Sequence, residues 1–443
     1  MWIANAWIVN EGRVFEGSVK IEGERIVRVV EGGARGGGQI LDARESYLLP
    51  GLIDDQVHFR EPGLTHKADL HSESRAAVAG GVTSFMEMPN TFPPAVTIEL
   101  LERKYERAAQ VSLANYSFYL GATNDNREQW IRLDARRVCG LKVFMGSSTG
   151  ELLVDDDAAL ENIFAESPVL VATHCEDEPT VRANTHEFRR RHPDGGHARL
   201  HPLVRSREAC FASSSKAVAL ARKYGTRLHV LHLSTAEETA LFDPAPLKDR
   251  PDKRITAEAC WHHLWFCDRD YERLGNRIKW NPAIKTAEDR SALRRAVAEG
   301  RIDVLASDHA PHTVEEKNLP YFDAPSGGPW VQHAVPMLFE LVEAGAFDLP
   351  TAVERAAHAP ARLFAVKDRG FVREGCYADL VLVRPRSPYA VVAEDLLYKC
   401  RWSPLEGQKL SARVECVWVN GAMAYRQGVL NEGVRGKRLI FER

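Results

Sequence analysis

The sequence predicts an α/β protein, a TIM-like (β/α)8 barrel carrying a small β-sandwich domain formed by both chain termini, and three observations lead there. The middle of the chain, about 51–365, alternates short apolar runs with amphipathic helical stretches, as a parallel sheet with crossover helices does. The ends, 1–50 and 366–443, alternate apolar and polar residues between turn signals, as antiparallel strands do. Several central strands also finish near a His, Lys or Asp, where a barrel collects its reactive side chains.

Taken in order, "AWIVNEGRV" and "SVKIEGERIVRVVE" read as short antiparallel strands, and the Gly-rich "GGARGGG" as a turn. The first central strand is "GLIDDQVHF". After it come "TSFMEMP", "NYSFYLGA", "CGLKVFM", "PVLVATHCE", "RLHVLHLS", "RITAEAC" and "IDVLASDHA", which with their helices make about eight βα units, enough to close a barrel. The helices include "TIELLERKYERAAQ", with Thr97 as its N-cap, and two that stop at Gly225 and Gly300. Near the C-terminus "YADLVLVRP" and "ARVECVWVNGAMAYRQG" return to strand patterning, with Asn420-Gly421 as a hairpin turn. The domains expected are therefore 1–50 with 366–443, and 51–365. An open doubly wound sheet is the alternative, but no G-x-G-x-x-G follows the first strand and no Walker-type loop occurs.

Composition narrows the class. A formal charge of −3 with no basic stripe argues against nucleic acid and anionic membranes as partners. The eight cysteines are dispersed and never form C-x-x-C, as expected of reduced, packed thiols. No signal-peptide pattern opens the chain and no apolar run is long enough to span a membrane, so a cytoplasmic protein is expected, with a homodimer as the default assembly.

His58, Lys142, His174, His232 and Asp308 close five of the predicted strands. Singly, each has an ordinary reading as a packed, snorkelling or turn-capping side chain; jointly, on one face of a barrel, they make a metal-ligating constellation. "PGLIDDQVHFREPG", "MEMPNT", "GLKVFM", "ATHCE", "LHVLHLST", "TAEACWHHL", "NPAIK", "IDVLASDHAPHT" and "HAPARLF" resemble, in order and spacing, the dihydroorotases of the amidohydrolase superfamily. The resemblance implies a zinc-dependent exchange of (S)-dihydroorotate plus water with N-carbamoyl-L-aspartate, a step of pyrimidine synthesis. It also implies His58, His174, His232 and Asp308 as metal ligands, Lys142 as a bridging ligand after carboxylation by CO₂, and Asp308 as the catalytic base and acid.

By the same resemblance Arg60 binds the substrate carboxylate, with Asn90 and His312 as its partners and Asn281 as a further substrate-side residue. Outside that context Arg60 reads as a surface ion pair with Glu61. "NPAIK" departs from the family's double proline followed by Arg. The larger departure is Gln56, which stands where most of the family has a metal-binding His. A neutral amide oxygen is a weaker zinc ligand than imidazole, so one tight Zn²⁺ and a second weak one are expected. Asp55, by strand alternation, points away from His58. His262 and His263, read as adjacent strand residues, face opposite ways and cannot share a metal. The segment 323–333, "DAPSGGPWVQH", reads equally as an active-site lid or a surface turn. The alternatives are a hydantoinase or allantoinase activity, whose substrates lack the ring carboxylate, and a non-catalytic scaffold partner.

Overall fold

The computed structural model describes residues 1–33, 38–146 and 152–443, so most of the predicted "GGARGGG" turn lies outside the described residues. Eight central strands appear: Leu52–Val57 (β1), Val82–Glu87 (β2), Asn115–Phe118 (β3), Leu141–Phe144 (β4), Val171–His174 (β5), Leu228–Val230 (β6), Ile255–Cys260 (β7) and Val304–Ala306 (β8). β1 to β3 pair in parallel, as do β4 to β8. Leu120–Gly121, just past β3, pairs with β4, and a parallel bridge from His309 to Val57 joins the β8 end to β1. Every residue of β1, β2 and β3 is buried, including the polar Asp54, Asp55, Gln56, Glu87 and Asn115.

The crossover helices begin and end where local chemistry dictates. Thr97 caps Ile98–Val111 by accepting from the Leu100 amide. Arg207–Tyr224 and Ala287–Glu299 stop at Gly225 (φ 68°) and Gly300 (φ 85°), left-handed positions suited to a residue without Cβ.

Both chain ends meet in one sheet. Trp2–Asn10 pairs with Arg13–Glu22 and Tyr47–Pro50, and Tyr47–Pro50 pairs with Leu380–Arg384, which pairs with Arg413–Val419. Ile3, Ile8, Val19, Ile26, Leu380 and Trp418 belong to a core of its own. The last stretch leaves this sheet and runs along the barrel, where the Leu439 amide donates to the Tyr116 carbonyl.

One buried ion pair ties the barrel wall to the residues that follow β1. Lys104 lies 2.8 Å from Glu87, with both side chains almost wholly buried, and Lys104 also donates to the Met88 carbonyl. The other Glu87 oxygen accepts from the backbone amide of Phe59, between His58 and Arg60. Burial raises the Glu87 carboxyl, against the pull of Lys104. Lys104→Met strands that carboxylate and is expected to cost about 3–5 kcal/mol in urea unfolding; a loss below about 1 kcal/mol would mean that Glu87 is held by something other than its partner.

Candidate active site at the mouth of the barrel

His58 follows β1, His174 ends β5, His232 lies just past β6, and Asp308 just past β8. Lys142 sits within β4 rather than at its end. All five line one cavity of about 100 Å³, with Gln56, Arg60, Asn90, Phe144, Trp280 and Asn281 among its other walls. Three of these residues have left-handed backbone without being glycine: Arg60 (φ 69°), His232 (φ 40°) and Asp308 (φ 43°). Such conformations cost about 1–3 kcal/mol each and concentrate where side chains must be aimed against local preference.

The histidines are fixed by hydrogen bonds to one another and to neighbouring polar groups. His58 Nδ1 lies 2.7 Å from the Asn90 amide oxygen, and its Nε2 lies 3.1 Å from Asp308 Oδ1. His174 Nε2 donates to Glu176 Oε2 at 2.9 Å, which leaves Nδ1 to accept from His232 Nε2 at 2.9 Å. His232 Nδ1 is buried without a partner, so in either tautomer one of its ring nitrogens goes unmatched. Two donors bound to one ion at about 2.1 Å stand about 3 Å apart when cis, so these separations and this donor set suit a divalent metal.

Lys142 is buried, and burial pushes its ammonium down to about 7, against the opposing pull of Glu258 and Asp308. A substantial share is therefore free amine at neutral pH, the form able to react as a nucleophile.

Gln56 also faces the cavity. Its Nε2 donates to Asp308 Oδ1 at 3.3 Å, the same oxygen that faces His58. Gln56 thus holds the neighbouring carboxylate.

Arg60 is buried, and Glu61 does not pair with it: Glu61 lies 2.7 Å from Arg107. Among the described residues Arg60 has no carboxylate ion partner; its Nε donates to the Pro311 carbonyl and its Nη2 lies 3.1 Å from His312 Nε2. Burial lowers it to about 10. His312 stands behind Arg60 rather than in the cavity wall. Its Nδ1 lies 3.0 Å from Lys67 Nζ and 3.5 Å from a Glu316 oxygen, and its Nε2 lies 3.0 Å from the Ser326 carbonyl oxygen. The ring is thus committed to Arg60, Lys67, Glu316 and Ser326, and it holds the guanidinium in place. Asn90 lines the cavity with its oxygen committed to His58, and Asn281 lines it beside Trp280.

The 323–333 segment is pinned as part of the wall. Lys317 donates to the carbonyls of Pro325 and Gly327, Lys279 donates to those of Tyr321 and Ala324, and Ser326 and Gly327 line the cavity.

Sequence reasoning missed Glu176 and its partner Arg205, 2.6 Å away. Burial alone would raise the Glu176 carboxyl, but Arg205 and His174 hold it well below the usual range. It lies two residues past His174 in "THCE", and its approach to the ring is visible only in three dimensions. Nor did the sequence reveal that His262 and His263 occupy a helical turn, Trp261–Trp265. Strand alternation does not apply there: their rings lie 4.2 Å apart, and their donor atoms fall within 4.8 Å of one another and of Cys260. His263 Nε2 meets the Pro282 carbonyl, and His262 stacks on Trp280.

A barrel with a β-sandwich of both termini and imidazole, carboxylate and lysine groups at its mouth defines a metal-dependent hydrolase scaffold, and residues 47–424 match the amidohydrolase family. The chain belongs to that family. The dihydroorotase of Halobacterium salinarum is 36% identical over 90% of this chain and 91% of its own length, and that of Bacillus subtilis 29% over 97% and 99%. Among solved structures, the L-hydantoinase of Arthrobacter aurescens superposes with a TM-score of 0.90 at 24% identity over 97% of both chains, and the dihydropyrimidinase of Brevibacillus agri with 0.87 at 24% over 100% and 99%. At that identity the structures speak for the fold alone.

Glu176→Gln removes the charge that orients His174 while keeping its shape, and is expected to weaken metal retention about 10–100-fold in a chelator titration read by elemental analysis. Unchanged retention would mean that Glu176 serves Arg205 rather than His174.

Proposed function

We propose that this protein is a metal-dependent dihydroorotase, exchanging (S)-dihydroorotate and water with N-carbamoyl-L-aspartate. The observation that carries the reading is Arg60: a buried guanidinium without a carboxylate partner among the described residues, in the wall of a small polar cavity beside the ligand set. A buried cation of this kind calls for an anion. Hydantoin and allantoin rings carry no carboxylate to supply one, and the dihydroorotase relatives favour the same choice.

Lys142 as its carbamate, with His174 and His232, would hold one Zn²⁺; His58 and Asp308 would hold a second more weakly, because Gln56 brings an amide where an imidazole is usual. Zinc bound there would polarise the ring carbonyl and lower the pKa of the attacking water. Asp308 accepts a proton from that water and returns it to the ring nitrogen as the C–N bond breaks, one carboxylate acting as base and then acid. Gln56 and His58 keep the Asp308 carboxylate on the cavity side. Arg60, backed by His312, grips the ring carboxylate, and Asn90 fixes His58 so that its Nε2 faces inward. The scaffold alternative rests on Gln56 alone; a scaffold has no use for the other aligned groups.

Arg60→Ala is expected to lower kcat/KM for dihydroorotate by about 2–5 kcal/mol of binding energy, at least tens of fold, with metal content unchanged. Kinetics equal to wild type would remove Arg60 from the substrate site. Gln56→His restores an imidazole and is expected to raise tightly bound zinc from about one to about two per chain by elemental analysis; an unchanged count would mean that another group already completes the second position.

A further inference from the structure

Beneath the cavity lies a second cluster that the proposed chemistry does not use. Asp55 on β1, His229 on β6 and Glu258 on β7 are each fully inaccessible to solvent, and one donor atom from each lies within 4.8 Å of the others. None of the three lines the cavity.

Their hydrogen bonds leave the cluster short of a positive charge. His229 Nδ1 lies 2.8 Å from Thr256 Oγ1, and that hydroxyl donates to the Leu228 carbonyl at 3.1 Å. Thr256 must therefore accept from His229, which puts the ring proton on Nδ1 and leaves Nε2 a bare lone pair. That lone pair faces Asp55 Oδ2 at 3.1 Å and Glu258 Oε2 at 3.9 Å. Both Asp55 oxygens, Glu258 Oε2 and His229 Nε2 are buried without a hydrogen-bond partner. The remaining Glu258 oxygen accepts from the His232 amide and lies 3.3 Å from Cys260 Sγ. Acceptors facing acceptors in a dry interior repel unless a cation stands between them.

We propose that Asp55, His229 and Glu258 form a divalent-cation site inside the barrel, distinct from the cavity above it. Two ligands at about 2.1 Å from one ion stand about 3.0 Å apart at a right angle and about 4.2 Å apart when opposite, and both measured separations fall in that range. One imidazole and two carboxylates suit Zn²⁺ or Mn²⁺. Asp55 does point away from His58, as strand alternation requires, and its destination is this cluster. The site adds a ligand set next to the place where Gln56 removes one, and it stands whether or not the dihydroorotase reading does.

The test is anomalous diffraction from crystals of the full chain grown with Mn²⁺. The expected result is a peak bonded to Asp55, His229 and Glu258, separate from any peak among Lys142, His174 and His232. Bound metal per chain should also fall by about one in Asp55→Asn, whose amide can donate to His229 in the cation's place. Mn²⁺ confined to the cavity residues, or a metal count unchanged by Asp55→Asn, would overturn the proposal and assign the missing positive charge to a shared proton. A peak at this cluster with none in the cavity would instead count against the proposed catalytic metal and leave this site standing.

Discussion

The mouth of the barrel is organised around a crowding of imidazole, carboxylate and lysine donor atoms about one small cavity. His58 Nε2 faces Asp308 Oδ1, and His174 Nδ1 faces His232 Nε2. Here Asn90 and Glu176 hold the rings, Gln56 holds the carboxylate, and left-handed backbone at Arg60, His232 and Asp308 aims the side chains inward. A fold that keeps about 1–3 kcal/mol of backbone strain at each of three positions lining one cavity gives up stability for geometry.

The same logic separates the two ends of the cavity. On the ligand side the protein gathers imidazole, carboxylate and lysine groups; on the other, Arg60 presents a buried guanidinium with no carboxylate ion partner among the described residues. A small molecule with a carboxylate at one end and a polarisable amide at the other complements both halves. The wall formed by 323–333, pinned by Lys279 and Lys317, encloses the space between them, so the site is shaped before anything binds.

Much of this was legible in the sequence because it depends on local chemistry. Strand runs, the Thr97 cap and the Gly225 and Gly300 stops follow from side-chain size, hydrogen bonding and backbone freedom. The strand-end residues His58, His174, His232 and Asp308 were identifiable because a barrel gathers such positions on one face. What stayed hidden depends on residues far apart in the chain. Glu61 sits next to Arg60 yet pairs with Arg107. Asp55 finds His229, far along the sequence, and His262 and His263 fold into a helical turn that their strand-like setting does not announce. Periodicity tells which way a side chain leaves its strand, and not what it meets.

Dihydroorotate turnover on the purified chain, measured as isolated, after chelation and after Zn²⁺ is restored, with hydantoin as the parallel substrate, is the most direct test of the proposed chemistry. The expected result is ring opening of dihydroorotate that is lost on chelation and recovered with Zn²⁺, and far slower turnover of hydantoin. A zinc-loaded chain that leaves dihydroorotate intact, or that opens hydantoin just as readily, would contradict it.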